Sequence, residues 1–309
     1  MSPIPRIWAL MTLLAVIVSC SADPLGTTTA SPATTSMPIA ETTMTSTTVP
    51  PVSTTGTDRA SRFVVIGDFG GGSEAEYEVA AAIESLASEE PIDGLITTGD
   101  NFYTDDIERI WTIPYGWLGK TGIPIYAAWG NHDLVSARRQ ALVQQHLKPP
   151  GRWYARQLHP GTLLVLDSND LGNAEQTTWL SQALQDAASP VIVVSHHPAF
   201  SCGLHGNTAA IVEQWVPLIE DHDVPLVLSG HDHDYQRFEE DGVTYVVTGG
   251  GGQAIRPSGS CSSSTPARIE SDNEHHHFLV LEVSPEEVRV TALTPEGSIL
   301  DSFAIPTPR

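Results

Sequence analysis

The chain has 309 residues, a formal net charge of −22 at pH 7 and only two lysines, Lys120 and Lys148. So acidic a balance argues against a nucleic-acid backbone as partner, and any anionic ligand must be held by local positive charge, for which bound metal ions are the natural source. With the N-terminal segments set aside, the length suits one large α/β domain with a sizeable core.

Residues 1–20 read as a lipoprotein-type signal peptide. Arg6 supplies the positive n-region, and the apolar run from Ile7 to Val18 is too short to cross a bilayer core of about 30 Å. Ile17-Val18-Ser19-Cys20 resembles a bacterial lipobox, in which Cys20 would be lipidated. The alternative is an ordinary signal peptide cut nearby. Residues 21–58 read as a linker: Thr27 to Thr57 is almost entirely Thr, Ser, Pro and Ala with one charge, Glu41, and cannot bury a core. Extended, it would reach roughly 100 Å at about 3.1 Å per residue. The expected location is extracytoplasmic, lipid-anchored at a bacterial cell envelope or otherwise secreted.

Residues 59–309 are expected to form the folded domain. Arg62–Gly67 reads as a buried strand, and Glu74–Ser88 has apolar residues at helical spacing. Strands follow at Leu95–Thr98 and Ile123–Ala128, then a helix at Ser136–Leu147, a strand at Thr162–Asp167 and a helix at Glu175–Ala187. Val191–Ser195, the helix Ala209–Asp221 and Pro225–Ser229 repeat the pattern. Val243–Thr248, Phe278–Val283, Glu287–Leu293 and Ile299–Ile305 are strands without helices between them. A βαβ first part with a β-rich finish predicts two packed sheets with helices outside.

The informative residues follow the strands. They are Asp68; Asp100-Asn101-Phe102-Tyr103; Asn131-His132-Asp133; His196-His197; and His231-Asp232-His233-Asp234. An aspartate after one strand is often a turn residue or a cap. Five such ends at the carboxyl edge of an α/β sheet, where ligands bind, point to a metal site. Imidazoles mixed with carboxylates suit iron, zinc or manganese better than calcium. There are too many ligands for one ion, whereas two ions about 3.5–4 Å apart, bridged by a carboxylate, would use them all. One position raises a doubt. A metal-binding turn of the first kind can carry a histidine two residues after its aspartate, and here that residue is Gly70.

Together these motifs, over Phe63 to about Tyr235, resemble the calcineurin-like metallophosphoesterases, and within them the small mammalian-type purple acid phosphatases. The resemblance implies a four-layer α/β/β/α sandwich of two mixed sheets flanked by helices. It implies that Asp68, Tyr103 and His233 hold a ferric ion, that Asn131, His196 and His231 hold a second, divalent metal (Fe, Zn or Mn), and that Asp100 bridges them. Tyr103 then replaces the histidine absent at Gly70. His132, and His205 in the stretch His205-Gly206-Asn207-Thr208, are implied as outer groups that meet the substrate. The implied activity is hydrolysis of phosphate monoesters by a metal-bound hydroxide, of acid phosphatase type, on a small phosphorylated substrate. A dinuclear phosphodiesterase and a non-catalytic surface-binding lipoprotein are the alternatives.

Weaker signals remain. His197 neighbours a ligand and is a candidate substrate-facing group, with packing as the competing role. Asp133 would orient His132 or serve as a turn residue. His275-His276-His277 reads as an exposed loop end. Gly249–Gly252 would let backbone pass close to the site, and Trp111, Trp117 and Trp129 default to core packing. With Cys20 lipidated, Cys202 and Cys261 are left as a possible disulfide pair in an oxidising compartment. No motif bears on oligomeric state.

Overall fold

The computed structural model describes residues 60–307, so the expected signal peptide and linker lie outside the described residues. In chain order the elements are β1 (Ser61–Ile66), α1 (Glu74–Glu89), β2 (Gly94–Thr97), a π-helical turn Glu108–Thr112 leading into α2 (Ile113–Tyr115), α3 (Leu118–Thr121) and β3 (Ile125–Ala127). Next come α4 (Ala137–His146), β4 (Tyr154–Gln157), β5 (Thr162–Val165), α5 (Ala174–Asp186), β6 (Val191–Val194), α6 (Ala209–Gln214) and α7 (Val216–Glu220). The chain finishes with β7 (Leu226–Ser229), β8 (Tyr235–Glu240), β9 (Val243–Thr248), β10 (Arg268–Asp272), β11 (Phe278–Val283), β12 (Glu287–Leu293) and β13 (Ile299–Pro306).

Two mixed sheets form. One has the order β13-β12-β11-β1-β2-β3 and the other β10-β8-β9-β7-β6-β5-β4. The strand period of two explains the layering. Phe63 and Val65 of β1 enter the core between the sheets, with Ile192 and Val194 of β6 and Leu228 of β7 opposite. Val64 and Ile66 point the other way, onto Val79 and Ile83 of α1. Val191 and Val193 of β6 likewise face Leu180 of α5 and Trp215. The strands are therefore apolar on both faces, as an α/β/β/α sandwich requires. Each such side chain contributes about 1.5–3 kcal/mol on burial.

The expected helix Ala209–Asp221 is broken at Trp215, with Pro217 near the start of the second piece. Proline has no N–H for the preceding turn and its ring crowds the carbonyl four residues back, so one continuous helix is disfavoured. Three strands were not anticipated. β4 and β10 are mostly exposed edge strands with no apolar alternation to reveal them. β8 had a readable sign: it pairs with β9 across Asp241-Gly242, and both residues have positive φ, 45° and 83°. Asp-Gly at a two-residue hairpin is a strong turn signal.

Helix α1 begins with an N-cap: Ser73 Oγ accepts the Glu76 N–H at 3.0 Å, and Glu76 Oε2 reaches back to accept the Gly72 N–H, one residue before the cap, at 2.5 Å. Burial pushes the Glu76 pKa up to about 7, although surrounding backbone N–H groups favour the ionised form. The folded-state value lies above the unfolded one. The contribution of Glu76 to stability is therefore complete below about pH 4.5 and is lost as pH rises through about 7, a change of up to about 3 kcal/mol. Urea unfolding at pH 5 and pH 8 checks this: Glu76→Gln should flatten the pH dependence seen in the wild type. An unchanged slope would assign it to another group.

Candidate metal centre

β1, β2 and β3 run parallel in one sheet and β5, β6, β7 and β9 in the other. The five loops singled out in the sequence follow β1, β2, β3, β6 and β7, and their side chains converge. Three of the converging residues have left-handed backbone: Asp68 (φ 56°), Asp100 (φ 49°) and His231 (φ 72°). Non-glycine residues held there are strained, and such strain collects at functional sites.

One set of atoms gathers on Tyr103. Its phenol oxygen lies 3.0 Å from Asp100 Oδ2, 3.2 Å from Asp68 Oδ1 and 3.2 Å from His233 Nε2. The remaining atoms of these candidate ligands are tied to backbone. Asp68 Oδ2 accepts the His231 N–H at 2.9 Å, and His233 Nδ1 meets Ala254 O at 3.1 Å. Each side chain thus presents one free atom.

A second set gathers on His196. Its Nε2 lies 3.0 Å from Asn131 Oδ1, 3.2 Å from His231 Nδ1 and 3.4 Å from Asp100 Oδ2. The other ring nitrogen is held 3.0 Å from Thr98 O, which orients Nε2 inward. Asp100 Oδ1 accepts the His132 N–H at 2.7 Å, so Oδ2 is the atom common to both sets.

The electrostatics fit two cations. Burial opposes charge on His196, yet Asp100 and Asp68 raise its pKa to about 9. The cluster favours positive charge at that point, which a metal ion would supply in place of a proton. Burial raises Asp68 well above the usual carboxylate range, with Asp100 adding to the effect. Burial and the two carboxylates also push the Tyr103 phenol far up, so it would ionise only against a highly charged metal. Burial lowers His233 to about 4 and His231 further still, leaving both as neutral imidazoles with lone pairs to offer.

Gly70 is closed to a side chain. Its φ is +64°, and a Cβ would stand 1.9 Å from Asn101 O. Its carbonyl instead accepts the Tyr103 N–H at 2.9 Å, which brings the tyrosine loop against the turn. A histidine could not be accommodated there, and the tyrosine arrives from the neighbouring loop.

His132 and His205 flank the two sets. The His132 ring packs 4.3 Å from Tyr103, and the His205 ring 4.1 Å from His231. Both side chains remain accessible, at 44 % and 38 % exposure. His197 lies against His196 and His231, with Nδ1 2.8 Å from Ser168 Oγ. Burial and His196 lower its pKa to about 3.

Several residues had roles the sequence did not reveal. Asp133 does not hold the His132 ring. Its carboxylate is fully buried and accepts from Asn101 N–H, Phe102 N–H, Gly130 N–H and Asn101 Nδ2, between 2.8 and 3.0 Å. It fastens the loop after β2 to the loop after β3. Asp232 Oδ1 takes both the backbone N–H and Nδ1 of His205, each at 3.0 Å. Its place between two candidate ligands was the one available signal. Cys202 and Cys261 form a disulfide. Gly249 and Gly251 do let backbone pass closely: a Cβ would stand 2.1 Å from Asp232 O and 2.4 Å from Gly67 O. Trp111 and Trp129 pack in the core. His275 is exposed as expected, but His277 is buried against Tyr235.

Comparison with known proteins agrees with this geometry. Residues 61–235 match the calcineurin-like phosphoesterase family. Tartrate-resistant acid phosphatase type 5 of Oryctolagus cuniculus is 28% identical over 295 residues, covering 79% of this chain and 90% of that protein. Purple acid phosphatase 3 of Arabidopsis thaliana is 26% identical over 288 residues, covering 79% and 77%. Among solved structures, GAP50, the anchor in the inner membrane complex of Plasmodium, superposes with a TM-score of 0.72 at 18% identity, covering 81% of this chain and 90% of that one. Purple acid phosphatase PPD1 from yellow lupin, Lupinus luteus, gives 0.68 at 17%, covering 81% and 54%. At those identities the two structures speak to the fold alone. The extent of the family match, together with the strand-end ligands it spans, means that the chain belongs to the calcineurin-like phosphoesterase family.

Proposed function

We propose that this protein is a dinuclear metal-dependent phosphomonoesterase of purple acid phosphatase type. The observation that carries the reading is the position of Asp100 Oδ2, 3.0 Å from the Tyr103 oxygen and 3.4 Å from His196 Nε2, where two ligand sets meet on one carboxylate oxygen. Asp68, Tyr103 and His233 with Asp100 would hold the ferric ion, because a hard trivalent ion favours anionic oxygen. Asn131, His196 and His231 with Asp100 would hold the divalent metal, a set that accepts Fe, Zn or Mn. When bound, the metals supply the positive charge that holds phosphate oxygens and acidifies water.

The chain's own residues do the rest. His132 stands over the Tyr103 set and His205 over the His231 set, so a phosphate ester held between them has an imidazole on either side. Either is placed to give a proton to the departing oxygen. Asp232 accepts the Nδ1–H of His205 and fixes the ring, leaving Nε2 free to take up or release a proton. The relatives' names, acid phosphatases of animals and plants, support the same activity. The complete ligand set argues against a purely binding role. The N-terminal segments are proposed to act as the lipoprotein signal and tether read from the sequence.

Metal analysis and a visible spectrum test the reading. The purified protein should carry two metals, at least one of them iron, and absorb visible light through Tyr103. Tyr103→Phe should remove that band while leaving a folded protein. A colourless wild type that is active with zinc or manganese alone would overturn the ferric assignment. Greater activity on bis-p-nitrophenyl phosphate than on p-nitrophenyl phosphate would favour a diesterase instead.

A further inference from the structure

Residues 195–208, between β6 and α6, contain neither helix nor strand, yet they carry His205. Connections of that length without an element of their own are uncommon in compact domains and are usually functional. On its outer side the segment is open: Leu204 is 67 % exposed and the His205 side chain 38 %. Whatever holds His205 over the centre therefore acts from beneath or from the side.

A buried polar network acts from beneath. Asp232 Oδ1 accepts from His205, and Asp232 Oδ2 accepts the Ser201 hydroxyl at 2.5 Å. Ser201 Oγ in turn accepts the Gly203 N–H at 2.9 Å and a Gln236 Nε2 proton at 3.0 Å, while Gln236 Oε1 accepts the Cys202 N–H at 2.8 Å. Ser201, Asp232 and Gln236 are all buried. The fit is close, since a Cβ at Gly203 would stand 2.3 Å from Asp232 Cγ.

A strap acts from the side: residues 249–267, between β9 and β10. Near its start it is fastened to the candidate metal centre, where Gln253 N–H donates to Asp68 O and Arg256 N–H to His233 O, at 3.0 and 3.1 Å. It then crosses to the His205 segment. Gly259 N–H donates to Cys202 O at 2.5 Å, Cys261 is bonded to Cys202, and Thr265 Oγ1 donates to Asn207 Oδ1 at 2.9 Å. Cys202 is buried and Cys261 exposed. The covalent bond thus joins the residue three positions before His205 to a strap whose other end lies against the backbone of two candidate ligands. Hydrogen bonds in an open loop break locally at little cost, whereas a disulfide persists.

We propose that the Cys202–Cys261 disulfide is the positioning element for His205, keeping its segment in register with the centre so that the ring stays where it meets the substrate. The effect on turnover rests on the phosphomonoesterase reading above; the effect on the segment does not. Misplacing such a group by about 1 Å can cost on the order of a hundredfold in rate.

The test crosses Cys261→Ser with His205→Ala in the metal-loaded protein. Cys261→Ser removes the bond at its exposed end and leaves the buried Cys202 in place. In the wild-type background it should lower kcat/KM for p-nitrophenyl phosphate about tenfold or more. In the His205→Ala background it should lower it less than about twofold, because the residue it positions is already gone. The melting point should fall equally in both backgrounds, and metal content should match the wild type. Hydrogen exchange should accelerate in a peptide covering residues 203–207 and stay unchanged in those containing Asp68 and Asp100. Should Cys261→Ser fail to fold, the same cross and exchange measurement with Thr265→Val, which keeps the disulfide and removes a neighbouring tie, should show a smaller effect of the same pattern. Equal losses of kcat/KM in both backgrounds would mean a general structural role. No loss in the wild-type background, or unchanged exchange over residues 203–207, would mean that the buried network alone holds the ring. Each of these overturns the proposal. A wild type that fails to hydrolyse p-nitrophenyl phosphate would count against the phosphomonoesterase reading, and the exchange measurement would still decide whether the disulfide holds the His205 segment.

Discussion

Asp100→Asn is expected to lower phosphatase activity by about a thousandfold or more and to leave fewer than two metals per chain. Asparagine keeps the shape of the side chain and tolerates the left-handed backbone at position 100, where φ is 49°. The carbonyl oxygen can still accept the His132 N–H that Asp100 Oδ1 accepts at 2.7 Å. The amide then falls where Oδ2 lies between the Tyr103 and His196 sets, and it brings protons and no negative charge. Neither set retains an anion shared with the other. Metal analysis and melting curves with and without a chelator read the result. The variant should fold, and the chelator should shift its melting point less than that of the wild type, because binding to the folded state is what stabilises it. Two metals retained with activity within tenfold of wild type would remove Asp100 from the bridging position.

The second large effect is expected outside the ligand set. Asp133→Ala should lower stability by about 4 kcal/mol and reduce metal binding with it. The fully buried carboxylate serves three backbone N–H groups and the amide of Asn101. Alanine leaves those donors buried without an acceptor, in the loops that carry Asp100, Tyr103 and Asn131. Asp133→Asn should also destabilise, since its amide would face a donor. Had Asp133 served only to orient His132, alanine would reduce turnover while stability and metal content stayed at wild-type values. Urea unfolding alongside metal analysis distinguishes the two outcomes.

The contrast between Asp100 and Asp133 shows how far the site was legible. Asp100 follows a buried strand, and the end of such a strand is where an α/β sheet presents ligands, so its position alone suggested chemistry. Asp133 lies in an equally suggestive motif, but its work is to accept from Asn101 and Phe102, some thirty residues earlier, and no local pattern encodes a partner at that separation. The same holds for Asp232 and His205. In the fold, strands apolar on both faces were readable because burial on two sides leaves a continuous apolar run. The edge strands Tyr154–Gln157 and Arg268–Asp272 bury little and left no such mark. The break at Trp215 was written in Pro217, which the apolar spacing of the helix obscured.

From the residues alone came the kinds of candidate ligand available: two aspartates, an asparagine and three histidines, each placed just after a strand, while Tyr103 entered through the family resemblance. Side-chain chemistry and strand period are local properties, so they suffice for the first six. Which atom of each ligand is free was decided only when the two sheets packed. Thr98 O takes one nitrogen of His196, Ala254 O takes one of His233, and the His231 N–H takes one oxygen of Asp68. The turn at Gly70 was likewise settled by a neighbour. Asn101 O occupies the space a side chain would need, so the vacancy is a consequence of packing that the tyrosine loop fills. Such constraints act between segments far apart in the chain, and they exist only once the tertiary structure has brought those backbones within hydrogen-bonding distance.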